Sequence, residues 1–283
     1  MDLTNLKIPE LLAPGGGPAK ARTAILYGAD AVYVGGQGLN LRAKAAGFTW
    51  DDLDFLLAWA HKRGARVYYC LNAMIRAQDL SDVESSLECL GSKDVDGLIA
   101  ADPGIIRMAR KHAPHIPLHL STQVSTSNPE AALLWRDLGI SRVNLARELS
   151  LQEIRPFSSL HGILETELFV HGALCMAVSG RCLLSAYLNA RPANLGLCTH
   201  PCRYEYRMVR MSVEERKRKG EILWEIEEQD DYTRLFAAKD LCLLPYLKWI
   251  CSARISALKI EGRMKSVAYL SQVVDVYRTA LQA

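Results

Sequence analysis

Apolar positions along the chain alternate between two periods. Short runs that read as strands, PELLAPGGG (Pro9 to Gly17), ADAVYVGG, RVYYCLN, VDGLIAADP, PLHLSTQ, RVNLARELS, ETELFVHGALC and ISALKIEGR, are separated by stretches with helical spacing. The punctuation agrees with that reading. Thr49 is placed to cap TWDDLDFLLAWAHKRG, with Asp51 and Asp52 in the first turn and Gly64 at the end, and Ser81 is placed to cap LSDVESSLECLGSKD. Gly28 stops the helix AKARTAILYGA, and the sixth intervening helix is LQEIRPFSSLHG. Eight strands separated by amphipathic helices predict a parallel sheet, and eight such units close most naturally into an α/β (β/α)8 TIM-like barrel. A doubly wound open sheet is the alternative arrangement.

One segment breaks the rhythm. From about 176 to 239 the chain carries clustered cysteines, an alternating run YEYRMVR, a charged turn and the run ILWEIEEQ, which together predict a cysteine-rich β-hairpin insertion after the seventh strand. Residues 1–283 are thus expected to form a single barrel domain with this insertion, the chain closing with the eighth helix. The basic run Arg216–Lys219 falls at the hairpin tip and reads as a solvated turn.

With 283 residues the chain can bury a sizeable core without disulfide staples, and a net charge of +3 permits a nucleic-acid partner without requiring one. The first residues contain no secretory leader and no apolar run reaches the length of a membrane span, so a cytoplasmic protein is expected. In that reducing setting eight cysteines, four of them at Cys175, Cys182, Cys198 and Cys202 and a fifth at Cys242, point to metal or redox chemistry. The spacing C-x6-C-x15-C-x3-C matches neither a zinc finger nor a bacterial ferredoxin, and leaves zinc and an iron–sulfur cluster both open. Glycines and a proline around these cysteines mark turns, whereas Cys70, Cys89 and Cys251 fall at core positions.

In a barrel of this kind the C-terminal strand ends carry the chemistry. Those ends hold Asn40 and Arg42, Asn72, Asp102, then Ser121, Thr122 and Gln123, then Arg147 and Glu148, His171 and Cys175, and finally Lys259, Glu261 and Arg263. Arg42, Arg147 and Arg263 are candidate binders of an anionic substrate, because guanidinium pairs bidentately with carboxylate or phosphate; mutual pairing of Arg147, Glu148, Glu261 and Arg263 is the competing reading. His171, Glu148 and Glu261 are the candidate acid/base residues, although a histidine at a strand end also serves structurally. Asp102, before Pro103, reads as a helix cap. Zinc-protease, serine-hydrolase and papain-like motifs are missing.

The run built on Glu167, Phe169, Gly172, Ala173, Leu174, Cys175, Gly180, Cys182, Leu184 and Ser185 resembles the signature of the collagenase-like peptidase family U32, and the likeness extends from PELLAPGG and GADAVYVGG through HLSTQ and KDLC to LKIEGRMKS. The resemblance implies more than its peptidase name. Members hydroxylate the wobble uridine of tRNA or a cytidine of ribosomal RNA with prephenate, and a pair supports oxygen-independent ubiquinone synthesis with a 4Fe-4S cluster. It therefore implies that Cys175, Cys182, Cys198 and Cys242 hold a 4Fe-4S cluster, with Cys202 as the alternate, and that a tRNA or other RNA, a prephenate-like dicarboxylate and a protein partner of the same family are the ligands to expect. GLCTHPCRYEYRMV is most similar to the tRNA-hydroxylating branch. A zinc metallopeptidase and a subunit of a ubiquinone hydroxylase are the other activities the resemblance leaves open.

Overall fold

The computed structural model describes residues 8–37, 39–40, 47–206 and 238–283. Arg42, the basic run Arg216–Lys219 and residues 207–229 of the expected hairpin lie outside the described residues.

Eight parallel strands close into a barrel: β1 (Glu10–Pro14), β2 (Ala31–Val34), β3 (Arg66–Leu71), β4 (Gly97–Ala100), β5 (Leu118–Leu120), β6 (Ile140–Asn144), β7 (Glu165–Gly172) and β9 (Ala257–Ile260), with β8 (Leu241–Cys242) a two-residue antiparallel addition to β7. Closure comes from β1 pairing β9 and β9 pairing β7, while β6 also pairs β7, so the open-sheet alternative is excluded. Period-2 alternation sorts the side chains. Leu11, Ala13, Val67, Leu71, Leu98, Val143, Val170, Leu258 and Ile260 pack outward under the helices in the main core. Leu12, Ala31, Tyr33, Tyr68, Cys70 and Ile99 form a second, smaller cluster inside the barrel.

The interior also carries charge. Arg142 reaches Glu10 at 2.6 Å and Glu165 at 2.6 Å, and Tyr68 donates to Glu10 at 2.8 Å. Burial pulls the Arg142 pKa down, but the Glu10 and Glu167 carboxylates more than offset that, so it remains a fixed cation. Gly97 makes room here, since a Cβ on it would stand 2.9 Å from the His119 ring and 3.0 Å from that of Tyr68.

The helices begin largely where the sequence signals them. Thr49 caps α2 (Trp50–His61) in a reciprocal box with Asp52, and the Asp102 carboxylate accepts from Gly104 and Ile105 at the start of α4 (Pro103–His112). Two expectations differ. Ser81 lies inside α3 (Leu80–Gly91), because a 3-10 turn over Ala77–Asp79 starts the element earlier and Asp79 accepts from the Arg76 amide. The sixth helix is a single α turn, α6 (Leu151–Ile154), that tightens into a 3-10 stretch over Arg155–Leu160, since Pro156 cannot supply the amide that would continue the α pattern. Helix α1 (Pro18–Leu26), α5 (Pro129–Asp137), α8 (Leu247–Ser252) and α9 (Val267–Gln282) complete the outer layer, and α7 (Leu184–Asn189) belongs to the cysteine-bearing segment. Among the described residues no helix is long and apolar enough to cross a membrane.

Candidate active site

Two cavities open at opposite ends of the barrel. The larger, about 970 Å³, is lined by Glu10, Asp30, Arg66, Arg142 and Glu165 at the N-terminal strand ends, the face that serves stability in such barrels. Its carboxylates and guanidiniums pair with one another: Arg66 with Glu10, Arg142 with Glu10 and Glu165, Arg278 with Asp30. The other, about 280 Å³, lies at the C-terminal strand ends and is the candidate site.

The segment after β7 builds its roof. Gly172 turns the chain at φ 108°, and a Cβ there would stand 2.8 Å from the Glu261 carbonyl oxygen. Gly180, at φ 71°, rests on Gln123. The Ser185 hydroxyl accepts from the Thr199 amide at 3.0 Å, Asn189 donates to the Thr199 hydroxyl at 2.9 Å, and Tyr206 donates to the Pro201 carbonyl at 2.8 Å. Asn194 anchors the far side, its carbonyl accepting from the Met74 amide beyond β3 at 3.0 Å. His200 takes a left-handed conformation at φ 58°, and its amide donates to the Cys198 sulfur at 3.4 Å.

Cys175, Cys182, Cys198 and Cys202 all line this cavity. Burial first, then the neighbouring Cys198, Cys175 and Cys182, push the Cys202 thiol up, while Arg203 pulls it down. Cys242 is not among the lining residues. It sits on β8 opposite His171, and the Tyr277 hydroxyl nearby donates to the Val170 carbonyl at 2.8 Å. Cys70 is buried within the barrel, and Cys89 and Cys251 are half-buried on α3 and α8.

Beneath the roof, the side walls carry Tyr33 and Phe169, and the floor carries Asn72, Ser121, Gln123, Asn144 and Lys259. Lys259 is 2.7 Å from Glu167, which also accepts from Asn144 at 2.7 Å, and its ammonium lies 4.5 Å from the Tyr33 ring centroid. Arg147 and Arg263 line the cavity and are held by neutral acceptors. Arg147 donates to the Ser179 hydroxyl at 2.7 Å and the Ala173 carbonyl at 3.2 Å, and Arg263 donates to the Asn40 side-chain oxygen at 3.1 Å. Among the described residues neither has a carboxylate partner, so of the two readings the mutual pairing of Arg147 and Arg263 with Glu148 and Glu261 is not the one the described residues form; the two guanidiniums lie 5.5 Å and 5.8 Å from the Phe169 and Tyr33 ring centroids instead. Glu261 lines the cavity; Glu148 lies exposed on the turn after β6 and does not.

Across residues 16–283 the chain matches the model of Peptidase family U32. The chain belongs to this family. It is 40% identical over 277 residues to the Bacillus subtilis "tRNA hydroxylation protein P1", an alignment covering 98% of this chain and 64% of that protein's length. It is 35% identical over 277 residues to the Escherichia coli "23S rRNA 5-hydroxycytidine C2501 synthase", covering 97% of this chain and 39% of the other. The solved "U32 Peptidase Mk0906" superposes with a TM-score of 0.55 over 93% of this chain and 96% of that one, at 13% identity, a likeness of fold.

Within this U32 barrel His171 stands away from the cavity. A register shift between Phe169 and His171 breaks the inward alternation of β7, and the ring packs instead against Tyr277 at 5.6 Å and Tyr269 at 6.0 Å on α9. Burial lowers its pKa, with Asp240 opposing and Lys265 reinforcing that shift. Sequence reasoning passed over Asn144 and gave Glu167 and Phe169 no role. Period-2 alternation from Arg142 and Glu165 puts all three inside the barrel, which is the signal that finds them.

Proposed function

We propose that this barrel is an iron–sulfur-dependent hydroxylase of an RNA base, acting on the wobble uridine of tRNA with prephenate or a similar dicarboxylate as co-substrate. The observation that carries the reading is one cavity shared by four thiols, aromatic walls, an amide-bearing floor, and two guanidiniums with no carboxylate partner among the described residues. Kinship with proteins named for tRNA and ribosomal RNA hydroxylation directs it to RNA.

The thiols fit a multinuclear group. A tetrahedral zinc with bonds of about 2.3 Å draws its sulfurs to within about 4 Å of one another. Among the described residues no three of the cysteine sulfurs lie within 4.8 Å of each other, so the thiols as placed do not close on a single ion. Cys175, Cys182, Cys198 and Cys202 would hold the cluster, with the His200 amide bonded to one of its sulfurs. When bound, a 4Fe-4S cluster supplies one-electron redox chemistry. Arg147 and Arg263 would each clamp a carboxylate of the co-substrate. The Tyr33 and Phe169 rings would flank the base, and the roof over 173–206 would exclude water.

Anaerobic purification followed by iron and sulfide analysis and an absorption spectrum tests the cofactor. Broad absorption near about 400 nm is expected, lost in Cys175→Ser, Cys182→Ser, Cys198→Ser and Cys202→Ser but retained in Cys242→Ser. Loss in Cys242→Ser with retention in Cys202→Ser would restore Cys242 as the fourth ligand, and colourless protein carrying one zinc would overturn the cluster. Mass spectrometry of tRNA nucleosides from a deletion strain, with and without the gene restored, tests the reaction. An unchanged nucleoside profile defeats it.

A further inference from the structure

Two side-chain amides on the cavity floor are oriented from behind. Asn144, 2% exposed, gives its Nδ2 to Glu167 at 2.7 Å. A carboxylate ion-paired to Lys259 offers only acceptors, so this amide cannot turn over, and its Oδ1 is left buried with no hydrogen-bond partner among the described residues. Gln123, after β5, accepts at Oε1 from the Ser121 hydroxyl at 2.9 Å. Ser121 in turn accepts from Asn72 Nδ2 at 3.4 Å, which commits the hydroxyl hydrogen to Gln123 and leaves Gln123 Nε2 as a donor with no described partner.

A buried acceptor and a donor left open on one floor cost stability unless a ligand completes them. The complementary group is a planar ring edge bearing an N–H beside a carbonyl oxygen. Uracil presents that edge at N3–H with its flanking oxygens, and the Tyr33 and Phe169 rings on the walls suit a planar ring.

We infer that Asn144 and Gln123 read the Watson–Crick edge of an extruded pyrimidine, Asn144 Oδ1 accepting the uracil N3–H and Gln123 Nε2 donating to the adjacent carbonyl oxygen. The inference rests on the reading of this site as an RNA-base hydroxylase, and it separates two tasks. The neutral amides select the base, and Arg147 and Arg263 are left for the anion. Glu167 acts as a positioning residue that fixes the Asn144 rotamer.

The test is fluorescence anisotropy with a labelled single-stranded oligouridylate and the same oligomer built from 3-methyluridine, whose N3 carries no hydrogen. The full chain is expected to bind the uridine oligomer at least about tenfold more tightly, because a site built to accept an N–H rejects the analogue that lacks it. Asn144→Ala and Gln123→Ala are expected to weaken binding of the uridine oligomer, and Asn144→Ala to abolish the discrimination against 3-methyluridine, with iron content unchanged in both. Should Asn144→Ala fail to fold, weakened binding in Gln123→Ala supports the pair and unchanged binding overturns it. Equal binding of the two oligomers by the unsubstituted protein overturns the inference. Discrimination without any hydroxylated nucleoside in the complementation assay upholds the base-reading pair and sinks the proposed reaction. Restored hydroxylation by both alanine variants sinks the pair and leaves the reaction standing.

Discussion

Glu167 on β7 and Lys259 on the neighbouring β9 are 2% and 5% exposed along their side chains and 2.7 Å apart. Desolvating two such charges costs several kcal/mol, which the ion pair recovers only with further bonds, here from Asn144 and from Arg142 at 3.6 Å. Removing one partner strands the other. Glu167→Gln is therefore expected to destabilise the fold by about 3–5 kcal/mol in urea unfolding, and the double variant Glu167→Gln with Lys259→Met to regain part of that loss. A double variant no more stable than the single one would show that the pair is not the cause. Lys259, Arg147 and Arg263 were legible as mouth residues because strand ends can be counted from the sequence. The partners that orient them were not, since Asn144 to Glu167 is a contact between strands whose register only the closed sheet fixes.

The segment after β7 shows what an element adds to its residues. Strand alternation through Glu165, Glu167 and Phe169 carries His171 inward on paper, and the register shift before it turns the ring toward α9. The same stretch decides which thiols meet: the turn at His200 brings the C-x3-C pair onto the cavity, while Cys242 follows β8 to the flank of β7. Cysteine clustering was visible in the sequence, but five thiols could not be sorted without these turns. Gly180 is one of them: its φ of 71° disfavours any side chain, and a Cβ would come 2.8 Å from Gln123 Cγ. Gly180→Ala is expected to lift the roof without unfolding the barrel. Iron per chain should fall and proteolysis within 173–206 should accelerate, with the main thermal transition displaced by no more than about 2 °C, as a local change in a large domain allows. A variant that keeps its iron and its protease resistance would show that the roof tolerates a shifted Gln123.

Across the whole molecule, the outer layers follow from apolar periodicity, which is why eight strands and barrel closure were legible. The interior does not follow the same rule. It holds Glu10, Arg142, Glu167 and Lys259 beside His119, a set that looks like surface chemistry when read along the chain and becomes a buried network only when β1, β6, β7 and β9 enclose it. His119 packs edge-on against Tyr68 with centroids 4.7 Å apart, and burial, reinforced by the Arg142 and Lys259 cations, lowers its pKa well below the ordinary 6.5. The folded protein therefore keeps this ring neutral where the unfolded chain binds a proton. Stability contributed by the neutral ring is present above about pH 6.5 and is lost as pH falls toward the folded value, by up to about 1.4 kcal/mol per pH unit. His171, also lowered by burial, adds in the same direction, so one substitution removes only part of the slope. Unfolding free energy of the native chain is expected to decline from pH 6.5 to 5 more steeply than that of His119→Gln, which has no proton to gain. Parallel curves for the two proteins across that interval would mean that the interior opens to water far enough for His119 to titrate as it does in the unfolded chain.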